Sequence, residues 1–260
     1  MKPTGRFSSA EAYNRNTGYF SRLLAEPFID FAGVKDGDRL LDVGCGTGSL
    51  AFTAAASMRR SEIVGIDRSA SFIEDARSRA SDPRLSFEVG DALSLPYTDG
   101  SFDKCLSLLV IQFIPDIRRA MSEMRRVTRE EGTIATCGWA REGDEMHTLF
   151  WDSAADLDAA GKQMREARGY GSGQLSALWA ESGFTCVEET AFIISHEFES
   201  FDDYWIPLAG GQGASGTYLA TLSDDRQEAL RRRVREKVLG SGLDRPFTLQ
   251  AKARAVRGNR

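Results

Sequence analysis

The sequence predicts an α/β fold: a doubly wound, Rossmann-like arrangement whose mostly parallel seven-stranded sheet carries helices on both faces and helical lid insertions. Two observations lead to this prediction. Short apolar runs of strand length alternate with stretches of helical period between residues 36 and 140, and the first of these runs ends in a glycine-rich turn that opens a helix. Two later apolar runs supply the remaining strands.

The elements of the core, residues 36–140, follow an N-terminal helical arm, residues 1–35. The arm has helical spacing over residues 8–33, and Pro27 is expected to kink or restart its helix. The predicted strands of the core are residues 39–43, 62–67, 85–89, 102–108 and 132–139. The predicted helices between them are residues 47–58, 69–80 and 117–128.

The alternation breaks down in residues 141–260, which we predict to hold lid or substrate insertions and the late strands. Residues 141–172 and 175–182 have helical character, whereas residues 201–240 return to loop and helix. The two late strands are predicted at residues 184–195 and 246–256. The glycine-rich run at residues 208–216 lacks the preceding strand and following lysine of a phosphate loop, so we interpret it as a flexible lid loop.

Composition limits the class of protein. A chain of 260 residues can bury one sizeable core, so we expect a single domain over residues 1–260. The net charge of −5 makes a nucleic acid an unfavoured partner, although a local basic groove stays open. The four cysteines form no C-x-x-C pair, and we predict no metal site. No apolar run reaches the length of a membrane span, and we expect a cytoplasmic protein.

The glycine-rich turn carries the first functional signal. Gly44, Gly46 and Gly48 lie where a strand becomes a helix, so a ligand can approach the backbone there. A dinucleotide fingerprint needs glycine at position 49, which is Ser49, and the spacing therefore leans away from NAD. Asp67 ends the next strand about 20 residues on, where a carboxylate can accept hydrogen bonds from both ribose hydroxyls. These features predict an adenosine cofactor and leave a dehydrogenase open beside a methyltransferase.

Five motifs occur in the order and spacing of class I S-adenosylmethionine-dependent methyltransferases. They occupy residues 42–48, 65–67, 90–97, 102–103 and 114–116. The sequence resembles the type-11 family most, the group that includes enzymes of ubiquinone and menaquinone biosynthesis. The resemblance implies an enzyme that moves a methyl group in line from S-adenosyl-L-methionine to a small-molecule acceptor and leaves S-adenosyl-L-homocysteine as product.

The resemblance also implies a cofactor site at the ends of the first three strands. Asp67 would hold the ribose, while Asp91 and the Ala92 amide would meet the adenine. Three residues are implied for the methionine portion: Asp42, Gly44 and Gly46. The neighbours included in the predicted site are Cys45, Gly48, Arg68 and Leu93.

Further predicted site residues come from the fourth strand and the arm. Leu108, Leu109 and Gln112 would face the methyl donor or the acceptor. Tyr13 and Arg22 would close over the cofactor carboxylate. Each feature also has a purely structural interpretation, such as a tight turn at the glycines, a helix cap at Asp67 and a turn at Asp91, but these would have to coincide at adenosine-binding spacing.

No catalytic residue is assigned from the sequence. A sulfonium methyl group is already electrophilic, so the protein must mainly align the acceptor and exclude water, and a base is needed only if the acceptor loses a proton. Many relatives carry histidine where this chain has Gln112, and the usual Pro-Gly-Gly before the fifth strand is residues 130–132 here, which should alter only a turn. We interpret His147 and His196, the two histidines of the chain, as structural or surface residues.

Two other classes stay open at this point. One is an NAD-dependent oxidoreductase. The other is a non-catalytic S-adenosylmethionine-binding sensor or scaffold, motivated by Gln112 and the absence of an evident base. A nucleic-acid methyltransferase is less favoured because the chain lacks an Asn/Asp-Pro-Pro-Tyr/Phe motif and a basic domain. A homodimer is left open as its assembly.

Overall fold

The computed structural model describes residues 10–15, 17–210 and 213–260. The parts of the predicted arm helix at residues 8, 9 and 16, and of the predicted lid loop at residues 211 and 212, lie outside the described residues. The strands are β1 (Arg39–Val43), β2 (Glu62–Asp67), β3 (Leu85–Val89), β4 (Phe102–Leu108), β5 (Thr128–Trp139), β6 (Thr185–Phe198) and β7 (Phe247–Asn259). The helices are α1 (Ala10–Arg15), α2 (Thr17–Phe31), α3 (Ser49–Ser57), α4 (Ala70–Arg79), α5 (Ile117–Val127), α6 (Glu145–Ala155), α7 (Ala159–Ala167), α8 (Gln174–Glu181), α9 (Phe201–Ala209), α10 (Gly213–Leu219) and α11 (Asp224–Leu239).

The seven strands form one sheet in the order β3-β2-β1-β4-β5-β7-β6. The first five in this order pair in parallel, and β7 runs antiparallel to both β5 and β6. The order reverses beside β1, so the loops that follow β1 and β4 open a crevice at the carboxyl ends of the strands. The predicted mostly parallel, doubly wound sheet is confirmed.

Apolar side chains cover both faces of the sheet. Leu40 and Leu41 are fully buried, and because neighbouring strand residues point to opposite faces, they join two separate apolar clusters. On one face α5 contributes Met121 and Met124, and α8 contributes Trp179. The other face is covered by the arm helix α2, by α3 and α4, and by the later helices α6 and α9 to α11. The sheet thus lies between two helical layers.

The arm helix runs without interruption through Pro27, so the predicted restart at this residue is wrong. Proline has no amide hydrogen to bond the carbonyl one turn earlier, at Leu23. Leu23 is 42% exposed, so water can reach that part of the helix and the loss is small.

Strand β5 begins at Thr128, four residues earlier than predicted, and contains an irregularity. Phe102 pairs with Thr128 and Lys104 with Thr133, so β5 carries extra residues opposite β4. Within this bulge Glu131 has φ 62°, a left-handed conformation that glycine adopts more easily. The departure from Pro-Gly-Gly therefore places a strained residue in the bulge.

The predicted lid loop at residues 208–216 is mostly helical where it is described. Helix α9 ends at Ala209 and α10 begins at Gly213. Ser215 is buried, and its hydroxyl donates to the carbonyl of Leu208 at 3.2 Å. The small residues allow the two helices to pack closely here. From composition alone, the same residues are mistaken for a flexible loop. Among the described helices none has the length and apolar character needed to cross a membrane.

Candidate active site

A cavity of about 520 Å³ lies at the carboxyl ends of the parallel strands. Its walls come from the loops after β1, β2, β3 and β4, and from the arm residues Tyr13 and Thr17. The volume falls in the range of sites that enclose a small molecule, roughly 300–1,000 Å³. We refer to it as the first cavity.

The loop after β1 is tied to the end of β2. The amides of Gly44 and Cys45 both donate to the carbonyl of Ile66, at 2.7 and 3.1 Å. Gly44 has φ 73°, and a side chain on it would overlap Val110. Gly46 has φ 55°, and a Cβ on it would lie 2.7 Å from the hydroxyl oxygen of Tyr13. Backbone conformation and crowding therefore both require glycine on this wall of the cavity.

Asp67 joins the first two loops. Its Oδ2 accepts a hydrogen bond from the Gly46 amide at 2.9 Å, and its Oδ1 accepts one from the Ser69 amide at 2.8 Å. Burial raises the pKa of Asp67, and these two amides partly oppose that rise. Each carboxylate oxygen accepts more than one hydrogen bond, so Asp67 can hold the loop and still receive the hydroxyls of a ligand.

Asp42 lies beneath the glycine loop and not on the cavity wall. Its side chain is almost completely buried, and Oδ2 has no hydrogen-bond partner among the described residues. Burial, and then the nearby charge of Asp67, raise the pKa of Asp42 to about 8. A positively charged ligand in the first cavity would favour the ionised form of this carboxyl.

The loops after β3 and β4 form the opposite wall. The carboxylate of Asp91 is exposed and accepts a hydrogen bond from the Leu93 amide at 2.9 Å, which closes a tight turn. Leu109 has φ 59°, an uncommon conformation for a residue with a side chain. Its amide donates to the carbonyl of Cys137 at 2.7 Å, which anchors the strained residue to β5. Strain of this kind clusters at binding sites.

The arm closes the cavity over the glycine loop. Tyr13 is buried, and its ring centroid lies 4.7 Å from that of Phe72 in α4. The hydroxyl of Thr47 donates to Oδ1 of Asn14 at 2.5 Å. Contacts from α1 thus reach both the loop after β1 and the helix after β2, and they shield this side of the cavity from water.

Comparison with known families identifies the family of the chain. Residues 34–182 match a family described as "Methyltransferase domain". The chain belongs to this methyltransferase family. The match confirms the methyltransferase family that the five motifs predict.

Curated relatives of this methyltransferase match half of its chain or slightly more. One is the 2-phytyl-1,4-naphtoquinone methyltransferase of Trichormus variabilis, 31% identical over 134 residues, which are 50% of this chain and 58% of the relative. Another is the malonyl-[acyl-carrier protein] O-methyltransferase of Erwinia billingiae, 32% identical over 154 residues, which are 58% of this chain and 55% of the relative. The chain thus spans a little more than half the length of these relatives.

Solved structures match over nearly the whole chain. The YcgJ protein of Bacillus subtilis has a TM-score of 0.60 at 20% identity, covering 93% of this chain and 98% of the other. A phosphoethanolamine N-methyltransferase 2 of Haemonchus contortus, in complex with phosphomonomethylethanolamine and S-adenosylhomocysteine, has a TM-score of 0.59 at 19% identity. The match covers 100% of this chain and 62% of the Haemonchus contortus protein. These likenesses show the fold.

The structure brings most of the predicted site residues together. Those that line the first cavity are Tyr13, Gly44, Gly46, Asp67, Arg68, Asp91, Ala92, Leu93 and Leu109. Asp42, Cys45, Gly48 and Leu108 lie outside its lining, and the side chains of Asp42, Cys45 and Leu108 are buried. Gln112 also lies outside it, and its Nε2 donates to the carbonyl of Leu109 at 3.2 Å.

Arg22, which was predicted to close over the cofactor carboxylate, does not line the first cavity. Arg22 is exposed on α2, and its guanidinium carbon lies 5.8 Å from the centroid of the Tyr19 ring. The helical period carries this side chain away from the face on which Thr17 meets the cavity.

Sequence reasoning missed several lining residues. Four of them belong to the quoted motifs and could have been included: Ile66, Gly90, Ile114 and Pro115. The others are Thr17, Ser69, Phe72, Val110 and Phe113. Ser69 and Val110 directly follow predicted site residues, so proximity in the chain was a usable signal. Phe72 faces the cavity from α4 and has no signal beyond a helical apolar position.

A second cavity, of about 110 Å³, lies between α2, α6, α9 and the end of β6. Both histidines line it. His147 Nδ1 lies 2.9 Å from Asp144 Oδ2, and His196 Nδ1 lies 2.9 Å from the hydroxyl oxygen of Tyr19. Each histidine therefore has the structural partner expected of it, and each also borders open space.

Proposed function

We propose that this chain transfers the methyl group of S-adenosyl-L-methionine to a small-molecule acceptor, with S-adenosyl-L-homocysteine as the product. The observation that carries the proposal is the first cavity, in which a glycine loop and Asp67 meet at the sheet edge of a methyltransferase fold. Bound there, the cofactor supplies an electrophilic methyl group on a positively charged sulfur.

The residues present suit this cofactor. The backbone of Gly44 and Gly46 would border the methionine portion, because side chains are missing there. Asp67 would receive the ribose hydroxyls, and Asp91 with the Ala92 amide would meet the adenine. Asp42, whose Oδ2 lacks a partner among the described residues, supplies a carboxyl beneath the loop that a cationic ligand would stabilise in its ionised form.

A small acceptor is supported by the chemistry of the surface and by the relatives. The chain carries a net charge of −5, which disfavours a nucleic acid as the acceptor. The names of two relatives refer to a naphtoquinone and to a malonyl group on a carrier protein. We propose further that residues 1–260 act as one domain, in which the arm and residues 141–260 shape the acceptor side.

Incubation of the purified protein with S-adenosylmethionine labelled in the methyl group and a cell extract tests the proposal. We expect label in a low-molecular-mass product whose amount falls when Asp67→Ala replaces the wild type. Label confined to nucleic acid or protein would contradict the small-molecule acceptor. Tight binding of S-adenosylhomocysteine without any transfer would instead favour a cofactor-binding sensor.

A further inference from the structure

We infer that the second cavity receives the methyl acceptor through an acidic hydroxyl on a small ring, as in a phenol, and that His147 removes the proton of that hydroxyl. This inference rests on the proposed methyl transfer, and it assigns a general base where the sequence predicts none. It starts from the two histidines, which come from different parts of the chain and border the same cavity.

The hydrogen bonds of His147 fix where its proton lies. Nδ1 is 3.0 and 2.9 Å from the two carboxylate oxygens of Asp144, whose side chain is fully buried. Burial alone would raise the pKa of Asp144, but His147 and Arg168 more than offset it and lower that pKa. An ionised carboxylate can only accept, so Nδ1 carries a proton and Nε2 is the ring nitrogen that remains for a ligand.

The other side of the ring is available for a ligand. Within the described ranges no hydrogen bond joins Nε2 of His147 to another residue, although its side chain is only 17% exposed and borders the cavity. The Trp139 ring lies 4.6 Å from the imidazole and restricts its orientation. A base that is oriented by a buried carboxylate and open at its second nitrogen is an arrangement suited to proton abstraction.

The charged groups around the ring favour a neutral acceptor. Arg168 Nη1 donates to Asp144 Oδ2 at 2.7 Å, so the buried carboxylate is already neutralised. Across the cavity lies Asp203, an exposed residue whose Oδ2 accepts from the Ser200 amide at the start of α9. Among the described residues, the site therefore has no buried, unpaired negative charge that would select an ammonium group.

The other titratable residues that face His147 are less suited to act as the base. Burial lowers the pKa of His196, which favours the neutral ring, and its Nδ1 is engaged by Tyr19. The hydroxyl of Tyr204 donates to the carbonyl of Met146 at 2.6 Å, and burial raises the pKa of Tyr204. Neither residue combines a free lone pair with a carboxylate that orients it.

The walls and volume of the second cavity limit the acceptor. A volume of about 110 Å³ is below that of a site for a whole drug-sized molecule, and it suits one ring or a short chain. Phe20, Met146, Phe198 and Leu208 supply apolar and aromatic walls, so a small ring can be buried with its hydroxyl toward His147.

A short stretch of β5 links the walls of the two cavities. Leu109, at the end of β4, lines the first cavity and bonds to Cys137 of β5. Trp139 lies two residues after Cys137 and packs on His147.

The proton step balances as follows. The O–H bond of the acceptor breaks, its electron pair stays on oxygen, and an N–H bond forms at Nε2 of His147. The oxygen becomes the nucleophile that takes the methyl group, and the imidazolium afterwards releases its proton to solvent. Asp144 stays ionised throughout and stabilises the imidazolium while it exists.

Nitrogen-15 NMR of the histidine rings in the complex with S-adenosylhomocysteine tests the inference directly. The chain has two histidines, so His196→Asn assigns the signals. Phenol is expected to shift the Nε2 signal of His147 in a saturable way, whereas toluene, which has no hydroxyl, should not. His147→Gln should weaken phenol binding at least tenfold and leave toluene binding within twofold. Equal shifts with both probes, or none with phenol, would overturn the inference.

Activity provides a second readout. In the labelled-extract assay His147→Gln should reduce methyl transfer at least 100-fold while its affinity for S-adenosylhomocysteine and its melting temperature stay within error of the wild type. If the wild type transfers methyl groups and His147→Gln does so equally well, the inference fails and the proposed function stands. If the wild type binds no S-adenosylhomocysteine, the proposed function fails.

Discussion

The two cavities of this methyltransferase are built in different ways. The first uses backbone: Gly44 and Gly46 leave room, and loop amides bond to Ile66 and Asp67. The second uses side chains from elements far apart, such as Tyr19 and His196, which are 177 residues apart in the chain. A site made from turns leaves a fixed spacing in the sequence, whereas a site made from distant side chains leaves none. The following variants probe the two modes of construction.

The largest effect is expected for Gly44→Ala. The new methyl group would overlap Val110, and the residue would be held at φ 73°, so we expect a loss of about 2–4 kcal/mol in the free energy of unfolding and no measurable binding of S-adenosylhomocysteine. Gly173→Ala is a matched control, since Gly173 has φ 77° with no atom within 4 Å of the added methyl group. It should cost about 1–2 kcal/mol and leave binding intact. Denaturant unfolding and calorimetry measure both, and equal binding by the two variants would refute the backbone construction.

Asp67→Ala should weaken S-adenosylhomocysteine binding by about 1–3 kcal/mol, because hydrogen bonds to the ligand and to the Gly46 amide are lost. Asp225→Ala, at the exposed start of α11, makes the same change in net charge and should leave the affinity unchanged. Titration calorimetry of both variants provides the comparison. An unaltered affinity in folded Asp67→Ala would remove Asp67 from the site.

The raised pKa of Asp42 predicts that the stability of the ligand-free protein depends on pH. Because burial raises its pKa to about 8, the folded state holds the proton more tightly than the unfolded chain, and stability should fall as the pH rises from about 4 to about 8. The slope from this residue is at most about 1.4 kcal/mol per pH unit. Asp42→Asn should remove this contribution, so its stability relative to the wild type should increase with pH over that window in urea unfolding. A constant difference between the two proteins would contradict the assignment.

The smallest effect is expected for Arg22→Ala. Its side chain is exposed and lies outside the lining of the first cavity, so the affinity for S-adenosylhomocysteine should stay within about twofold, or under 0.5 kcal/mol. A tenfold loss in calorimetry would restore the role that the resemblance implies for this arginine.

Much of the fold was predictable because its signals are local. The bounds of β1, β2, β3 and β4 agree with the predicted strands, because the buried positions of these short runs are mostly apolar. The prediction at Pro27 was wrong because the stability that a helix loses to a proline depends on whether water reaches the helix there. That is a property of the tertiary structure. The run at residues 208–216 misled because small residues serve close helix packing as well as flexible loops.

The residues of the candidate site also divide into those with a local sequence signal and those without one. Residues of the glycine loop and Asp67 follow from spacing, because each must adopt a particular backbone geometry next to a strand end. His147 did not stand out because its function depends on Asp144, on Arg168 and on the cavity, none of which a one-dimensional pattern displays together. An isolated histidine is therefore interpretable only once its second nitrogen and its surroundings are known.

The central claim is that the first cavity is a donor site for S-adenosylmethionine, and calorimetric titration with S-adenosylhomocysteine and, separately, with NAD tests it most directly. The account predicts saturable binding of one S-adenosylhomocysteine per chain, lost in Gly44→Ala and kept in Gly173→Ala, with no saturable heat from NAD. Saturable binding of NAD without binding of S-adenosylhomocysteine would contradict it.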